Sequence, residues 1–201
     1  MRPCSPGAWL LAVAGAAGVA GAAGAAPADY QLTPTHSFVH FEWTHAGLST
    51  LRGRFDKVSG RVTLDRDSRQ GRGRIELRLD SVNTGRPPLD AALRRALGAE
   101  GEATAQMELT TMRFEGDRPA TVAGRVRGAV PGRPLDLPLE LRALHFNCYL
   151  NPLLRREVCG GEFEATVEPA ELGLVIDPSF GLAGPIRLRV QVEAIRQEAT
   201  P

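Results

Sequence analysis

Lysine is almost missing from this chain: Lys57 stands alone among 24 basic residues, and the others are arginine. Schiff-base chemistry therefore has one candidate residue and no second. Neither charge sign is in excess, with 24 basic against 23 acidic side chains. That balance excludes the basic footprint of a nucleic-acid binder and the acidic bias of a disordered chain. Aromatics make up only 5% of the residues, so a large core has to be aliphatic. No P-loop, dinucleotide-binding glycine motif, nucleophile elbow or zinc-protease helix occurs. What the chain has in quantity is turn formers, 22 Gly and 15 Pro, which argue against long helices. Its 201 residues suit one globular domain.

Arg2 precedes an apolar, Ala/Gly-rich run from Ala8 to Ala23, closed by small residues at Ala23-Gly24-Ala25. A positive start, a short apolar run and a small-residue exit describe a cleavable secretory leader over residues 1–26. The alternative is a membrane anchor, but Gly15, Gly18, Gly21 and Gly24 dilute the run, and a bilayer span needs about 20 apolar residues. The expectation is an exported, periplasmic protein with one mature domain over residues 27–201. Cleavage takes Arg2 away and leaves 23 basic against 23 acidic groups. It also removes Cys4, so Cys148 and Cys159 remain as an even pair in an oxidising compartment and are expected to form a structural disulfide.

Beyond the leader the dominant period is two. Ile75, Leu77 and Leu79 alternate with arginine and acid; Leu135, Leu137, Leu139 and Leu141 alternate with Asp136, Pro138 and Glu140, Phe163, Ala165 and Val167 with acids and Thr166, and Ile186 through Ala194 with arginine, Gln191 and Glu193. Val39, Phe41 and Trp43 form another such face. This alternation is that of half-buried strands, apolar inside and charged outside. Further strands are expected at Gly60–Asp65, Gln106–Phe114 and Thr121–Val130. Met107 and Leu109 lie on one phase and Met112 and Phe114 on the other, which calls for a bulge near Thr110-Thr111. Leu89, Ala92, Leu93, Ala96 and Leu97 recur at helical spacing after Pro87-Pro88 and before Gly98, and predict one short amphipathic helix. Seven or eight strands of this kind make an antiparallel sandwich or a closed barrel. Periodicity does not decide whether the interior is solid or hollow.

The clearest catalytic-looking group is His36, His40 and His45. Three imidazoles suit zinc or copper, but His45 has the opposite parity to the other two, so a bend would have to bring them together. Ser37 beside His36 points to the other face of a strand, which removes it as a nucleophile. The arginine-rich strands read as a solvated exterior, since aromatic stacking residues are scarce there.

The stretch Tyr30-Gln31-Leu32, His36-Ser37, Val39, Phe41, His45, Gly47 and Ser49, followed by Gly53, Phe55 and Gly60, resembles the opening signature of the YceI-like family. Leu79, Ser81-Val82 and Thr84-Gly85, followed by Asp90 and Leu93, resemble its second segment. The resemblance spans about Tyr30 to Arg196. It implies an all-β fold, a lipocalin-like antiparallel β-barrel with one short helix, and an elongated apolar pocket for polyisoprenoids, isoprenoid quinones or other long-chain amphiphiles. No reaction is implied. The family's Arg-Asp-x-His-Leu reads here as Leu89-Asp90-Ala91-Ala92-Leu93. Its Arg-Ser-Asp-Phe-Gly reads Pro169-Ala170-Glu171-Leu172-Gly173.

On this basis the expected ligand wall is Val39, Phe41, Trp43, His45, Ile75, Leu77, Leu79, Met107, Leu109, Leu137, Leu139, Phe163, Leu188 and Val190, with His45 facing a polar head group. The expected partner is a hydrophobic small molecule, an isoprenoid or other lipid, with no other cofactor, no metal and no nucleic acid. Transient membrane contact and a homodimer stay open. The competing readings are a metal-dependent enzyme built on the three histidines and a ligand-free barrel acting as a stress-response interaction domain.

Overall fold

The computed structural model describes residues 27–101, 103–130 and 133–198. The leader assigned to residues 1–26 lies outside them. Eleven strands follow in order: β1 (Ala28–Leu32), β2 (Phe38–His45), β3 (Ser49–Phe55), β4 (Val58–Asp65), β5 (Gln70–Arg78), β6 (Val82–Asn83), β7 (Thr104–Glu115), β8 (Arg118–Val130), β9 (Arg133–Asn151), β10 (Arg156–Val167) and β11 (Leu182–Arg196). Helix α1 (Pro87–Ala96) lies between β6 and β7, with proline in its first turn and Gly98 at φ +66° just beyond it.

All the strand pairings are antiparallel. The order β1-β4-β5-β7-β8-β9-β10-β11 closes on itself through β1 and β11. β1 pairs with residues 194–196 of β11, and β2 continues along the same edge over residues 182–191. β3 and β4 run on in the same way, and β6 extends the line of β5. The eleven segments are therefore eight long strands of a closed barrel, lipocalin-like with one helix. The turns at 66–69, 116–117 and 152–155 share one end, called upper here. The β2–β3 turn, α1 and the 168–181 segment share the lower end.

The alternation in sequence becomes the two faces of this wall. Outward arginines meet outward acids across the strands. Arg125 bonds Asp136 at 2.8 Å and Arg127 bonds Glu108 at 2.7 Å, while Glu42 lies between Arg52 and Arg187. The Arg125 hydrogen bond holds the Asp136 carboxyl below the usual carboxylate range. Water and salt screen such exposed pairs, so each adds little to stability. A planar guanidinium reaches carboxylates on neighbouring strands with several donors, which suits arginine better than lysine.

Bulges in β7 and in β9 shift the inward phase of those strands. One lies between Leu109 and Thr111, where the phase change in the sequence places it. The other, opposite Glu162 and Phe163, moves the inward side of β9 from Leu141 to Phe146 and was not legible beforehand. Leu79 belongs to a 3-10 turn, Leu79–Ser81, rather than to a strand, but stays buried at 5% exposure. Gly53 lies opposite Phe41, whose ring covers it so closely that a Cβ there would sit 2.3 Å from Cζ.

Two buried polar residues hold the chain in place. Ser37 is fully buried, and its hydroxyl accepts from the Glu193 amide at 3.2 Å and donates to the Glu193 carbonyl at 3.3 Å. It pins the bend between β1 and β2 onto β11. Asp90 accepts from the amide and the hydroxyl of Thr84, at 2.7 and 2.6 Å, and fixes the entry into α1.

Candidate ligand-binding cavity

The barrel encloses a cavity of about 240 Å³ whose wall is carbon almost throughout. Leu64, Val122 and Phe146 lie along its upper part, and Leu135 and Ile186 along its lower part. At the lower end, α1 and the 168–181 segment contribute Leu93, Leu97, Leu172 and Leu174 to the wall.

Thirteen of the fourteen predicted wall residues border this cavity. They are Val39, Phe41 and Trp43 from β2, Ile75 and Leu77 from β5 with Leu79 beyond it, Met107 and Leu109 from β7, Leu137 and Leu139 from β9, Phe163 from β10, and Leu188 and Val190 from β11. His45 is the correction. It shares the parity of Trp43, but β2 ends there, and its ring lies against Gly181 at the lower end. Sequence reasoning left out Leu135, Leu141 and Ile186, although they continue alternations it had recognised. It also missed Tyr30, whose signal is the short alternation Ala28, Tyr30, Leu32.

The three histidines are not assembled. The His36 Nδ1 lies 3.3 Å from a Glu193 carboxylate oxygen in the β1–β2 bend. His40 is on the outer face, its ring edge-on to Phe38, which in turn lies 4.7 Å beneath the Arg54 guanidinium. Partial burial, and then the Arg54 charge, push the His40 imidazole below its ordinary value. His45 closes the strand five residues on, about 3.3 Å per residue. Among the described residues, the group with metal-ligand spacing is Cys148, Glu157 and Cys159, and its two sulfurs are bonded to each other. That disulfide joins residues directly opposite on β9 and β10, with Cα atoms 4.1 Å apart.

The polar part of the site is at the upper end. The Tyr30 hydroxyl donates to Glu157 at 2.8 Å, Arg66 donates to the same carboxylate at 2.5 Å, and Arg196 lies 3.6 Å away. Burial, followed by the hydrogen bond and charge of Glu157, pushes the Tyr30 phenol up to about 12. The folded state thus holds the phenol proton more tightly than the unfolded chain. The resulting stability is fully present below pH 10 and is lost as pH rises from 10 toward 12. The expected loss is on the order of 2 kcal/mol. Urea unfolding across that window should show it in the parent protein and not in Tyr30→Phe; equal slopes would contradict it.

A closed antiparallel barrel around a carbon-walled cavity is the architecture of a hydrophobic-ligand binder. Residues 30–194 match the YceI-like domain, and the chain belongs to that family. A UPF0312 protein of Pseudomonas paraeruginosa is 28% identical over 176 residues, covering 85% of this chain and 88% of its own. Among solved structures, a polyisoprenoid binding domain from Saccharophagus degradans aligns with a TM-score of 0.55 at 15% identity, covering 84% of this chain and 98% of that one. Burkholderia cenocepacia BcnA aligns with a TM-score of 0.59 at 12% identity, over 81% of this chain and 98% of that one. At those identities the structural likeness concerns the fold.

The departures from the family pattern fall on the lower end. Leu89 takes the arginine position and is buried in the main cluster at 1% exposure. Leu172 takes the aromatic position and joins the wall. Aliphatic surface stands where the pattern carries polar or aromatic groups.

Proposed function

We propose that this protein is an exported, non-enzymatic carrier that holds the chain of a polyisoprenoid or similar long amphiphile inside the barrel. The observation that carries the reading is the cavity, whose wall offers almost no polar atom to a substrate. The Saccharophagus degradans domain of the same fold is a polyisoprenoid binding domain, which supports the ligand class. Each buried CH₂ contributes about 0.8 kcal/mol, so ten buried carbons supply roughly 8 kcal/mol before association costs. An aliphatic wall achieves this without directional contacts. Export is supported by the leader pattern of residues 1–26 and by the Cys148–Cys159 disulfide, which persists in an oxidising compartment.

The test is native mass spectrometry of the protein purified after export, followed by solvent extraction. The expected result is a discrete added mass that extracts as an isoprenoid or fatty-chain compound. Leu139→Arg places a charge in the wall, and the added mass should disappear while the β-sheet spectrum is retained. A bare parent mass that stays bare after incubation with polyprenols and quinones would overturn the reading in favour of a ligand-free barrel.

A further inference from the structure

Six large apolar side chains are exposed among the described residues, and four of them, Tyr149, Leu150, Leu153 and Leu154, lie in the tip of the β9–β10 hairpin. Leu153 is 91% exposed. Single exposed leucines are ordinary, but four within six residues form a patch that calls for a partner.

The tip is rigid. Asn151 Oδ1 accepts from the amides of Leu153 and Leu154, both at 3.0 Å, and the Arg155 amide donates to the Asn151 carbonyl at 2.9 Å. Just below, the disulfide ties the two strands together. The leucines are therefore held outward, and their exposure costs little further ordering when they are buried. β8 accompanies β9 only as far as Arg142, so the hairpin stands clear of the barrel on that side.

Its chemistry selects the partner. Tyr149 and Leu150 are neighbours in a strand and point to opposite faces, while Leu153 and Leu154 sit in the turn. The tip is thus apolar on both faces and at its end. A protein-docking patch needs one apolar face, whereas end-on entry into a lipid layer covers all of them. Arg155 has no acidic partner among the described residues, and the partner of Arg156 is Glu198, itself 82% exposed. The acid next in line, Glu157, is occupied by Tyr30, Arg66 and Arg196. A tyrosine, three leucines and an unpaired cation together make an interfacial anchor for anionic phospholipid.

We propose that the β9–β10 tip inserts into the surface of a phospholipid bilayer, with Leu150, Leu153 and Leu154 at the acyl boundary, Tyr149 at headgroup level and Arg155 against lipid phosphate. Phe146 and Cys159 of the same hairpin belong to the cavity wall, so docking brings the upper end of the cavity to the membrane. That purpose rests on the carrier reading; docking itself does not and is measured without cargo.

The experiment is cosedimentation of the delipidated, disulfide-intact protein with vesicles of phosphatidylglycerol and phosphatidylethanolamine, and with phosphatidylcholine vesicles for comparison. The parent protein should bind the anionic vesicles more tightly. The double variant Leu153→Asp with Leu154→Asp should lower the partition coefficient at least tenfold, a change of about 1.4 kcal/mol. Arg155→Glu should weaken binding to anionic vesicles and leave the phosphatidylcholine value unchanged. Leu48→Asp, an exposed leucine in the β2–β3 turn at the other end, should bind as the parent does. Binding of the double variant at parent strength would overturn the proposal, as would a parent that ignores both vesicles. A parent dimer that the double variant dissociates, with no vesicle binding, would overturn it in favour of a second copy of the chain. Detergent-delivered polyprenol separates the two claims: tip variants should still take it up, and Leu139→Arg should not, although Leu139→Arg should bind vesicles normally.

Discussion

Trp43→Ala is expected to destabilise the barrel by about 3–5 kcal/mol, the range for truncating a buried tryptophan. Trp43 is 4% exposed and packs in one cluster with Phe41, Leu89, Leu93 and Ile186, which joins β2 to α1 and β11. Its indole N–H donates to the Gly184 carbonyl at 2.9 Å, where β11 departs from its register with β2. Alanine removes both the packing and that bond, and the wall cannot close over the gap because the ladder on either side holds the backbone. The indole also forms part of the cavity wall, so the variant should retain bound lipid less well. Urea unfolding measures the first effect and native mass spectrometry the second. A loss below about 1 kcal/mol would mean that the neighbouring side chains collapse into the space.

Removing the disulfide, as Cys148→Ala with Cys159→Ala, is expected to cost about 3 kcal/mol. The bond closes a short loop, with a sequence separation of 11, and its main effect is to restrict the unfolded chain. For a domain whose net stability is about 5–15 kcal/mol, that is a large share. The folded hairpin should persist, because the β9–β10 ladder continues on both sides of the bond, from Arg156↔Asn151 to Glu164↔Arg142. The denaturation midpoint should therefore fall while the native β spectrum stays the same. Reducing the parent protein should reproduce the shift; an unchanged midpoint in both would place the stability of this region in the ladder alone.

Much of this structure was legible because a strand has a period of two. Leu135 to Leu141 or Ile186 to Ala194 can face only one interior, so the wall residues followed from parity, and the phase change after Leu109 located a bulge. The second bulge was not legible, since Arg142-Ala143-Leu144-His145-Phe146 carries no clean alternation to show where the phase moves. His45 was misplaced for a related reason: parity gives the side of a strand but not where the strand runs out. The Glu157 cluster was invisible because Tyr30 and Glu157 are 127 residues apart, and only barrel closure brings them together. The hydrophobic tip was in plain view as Tyr149-Leu150-Asn151-Pro152-Leu153-Leu154, but in sequence it reads as a loop between two strands, and nothing there says whether its leucines turn inward.

By itself the sequence determined the long alternating strands, their apolar and charged faces, the helix between Pro87 and Gly98, and the pairing of its two late cysteines, because each depends on residues close along the chain. The tertiary structure alone decided that the apolar faces enclose a space instead of filling it, that Ser37 fastens to Glu193 and Asp90 to Thr84, that the histidines stand apart, and that one hairpin carries its leucines into solvent. All of these depend on the curvature and closure of the sheet, which set distances between residues far apart in sequence and leave no trace in local periodicity.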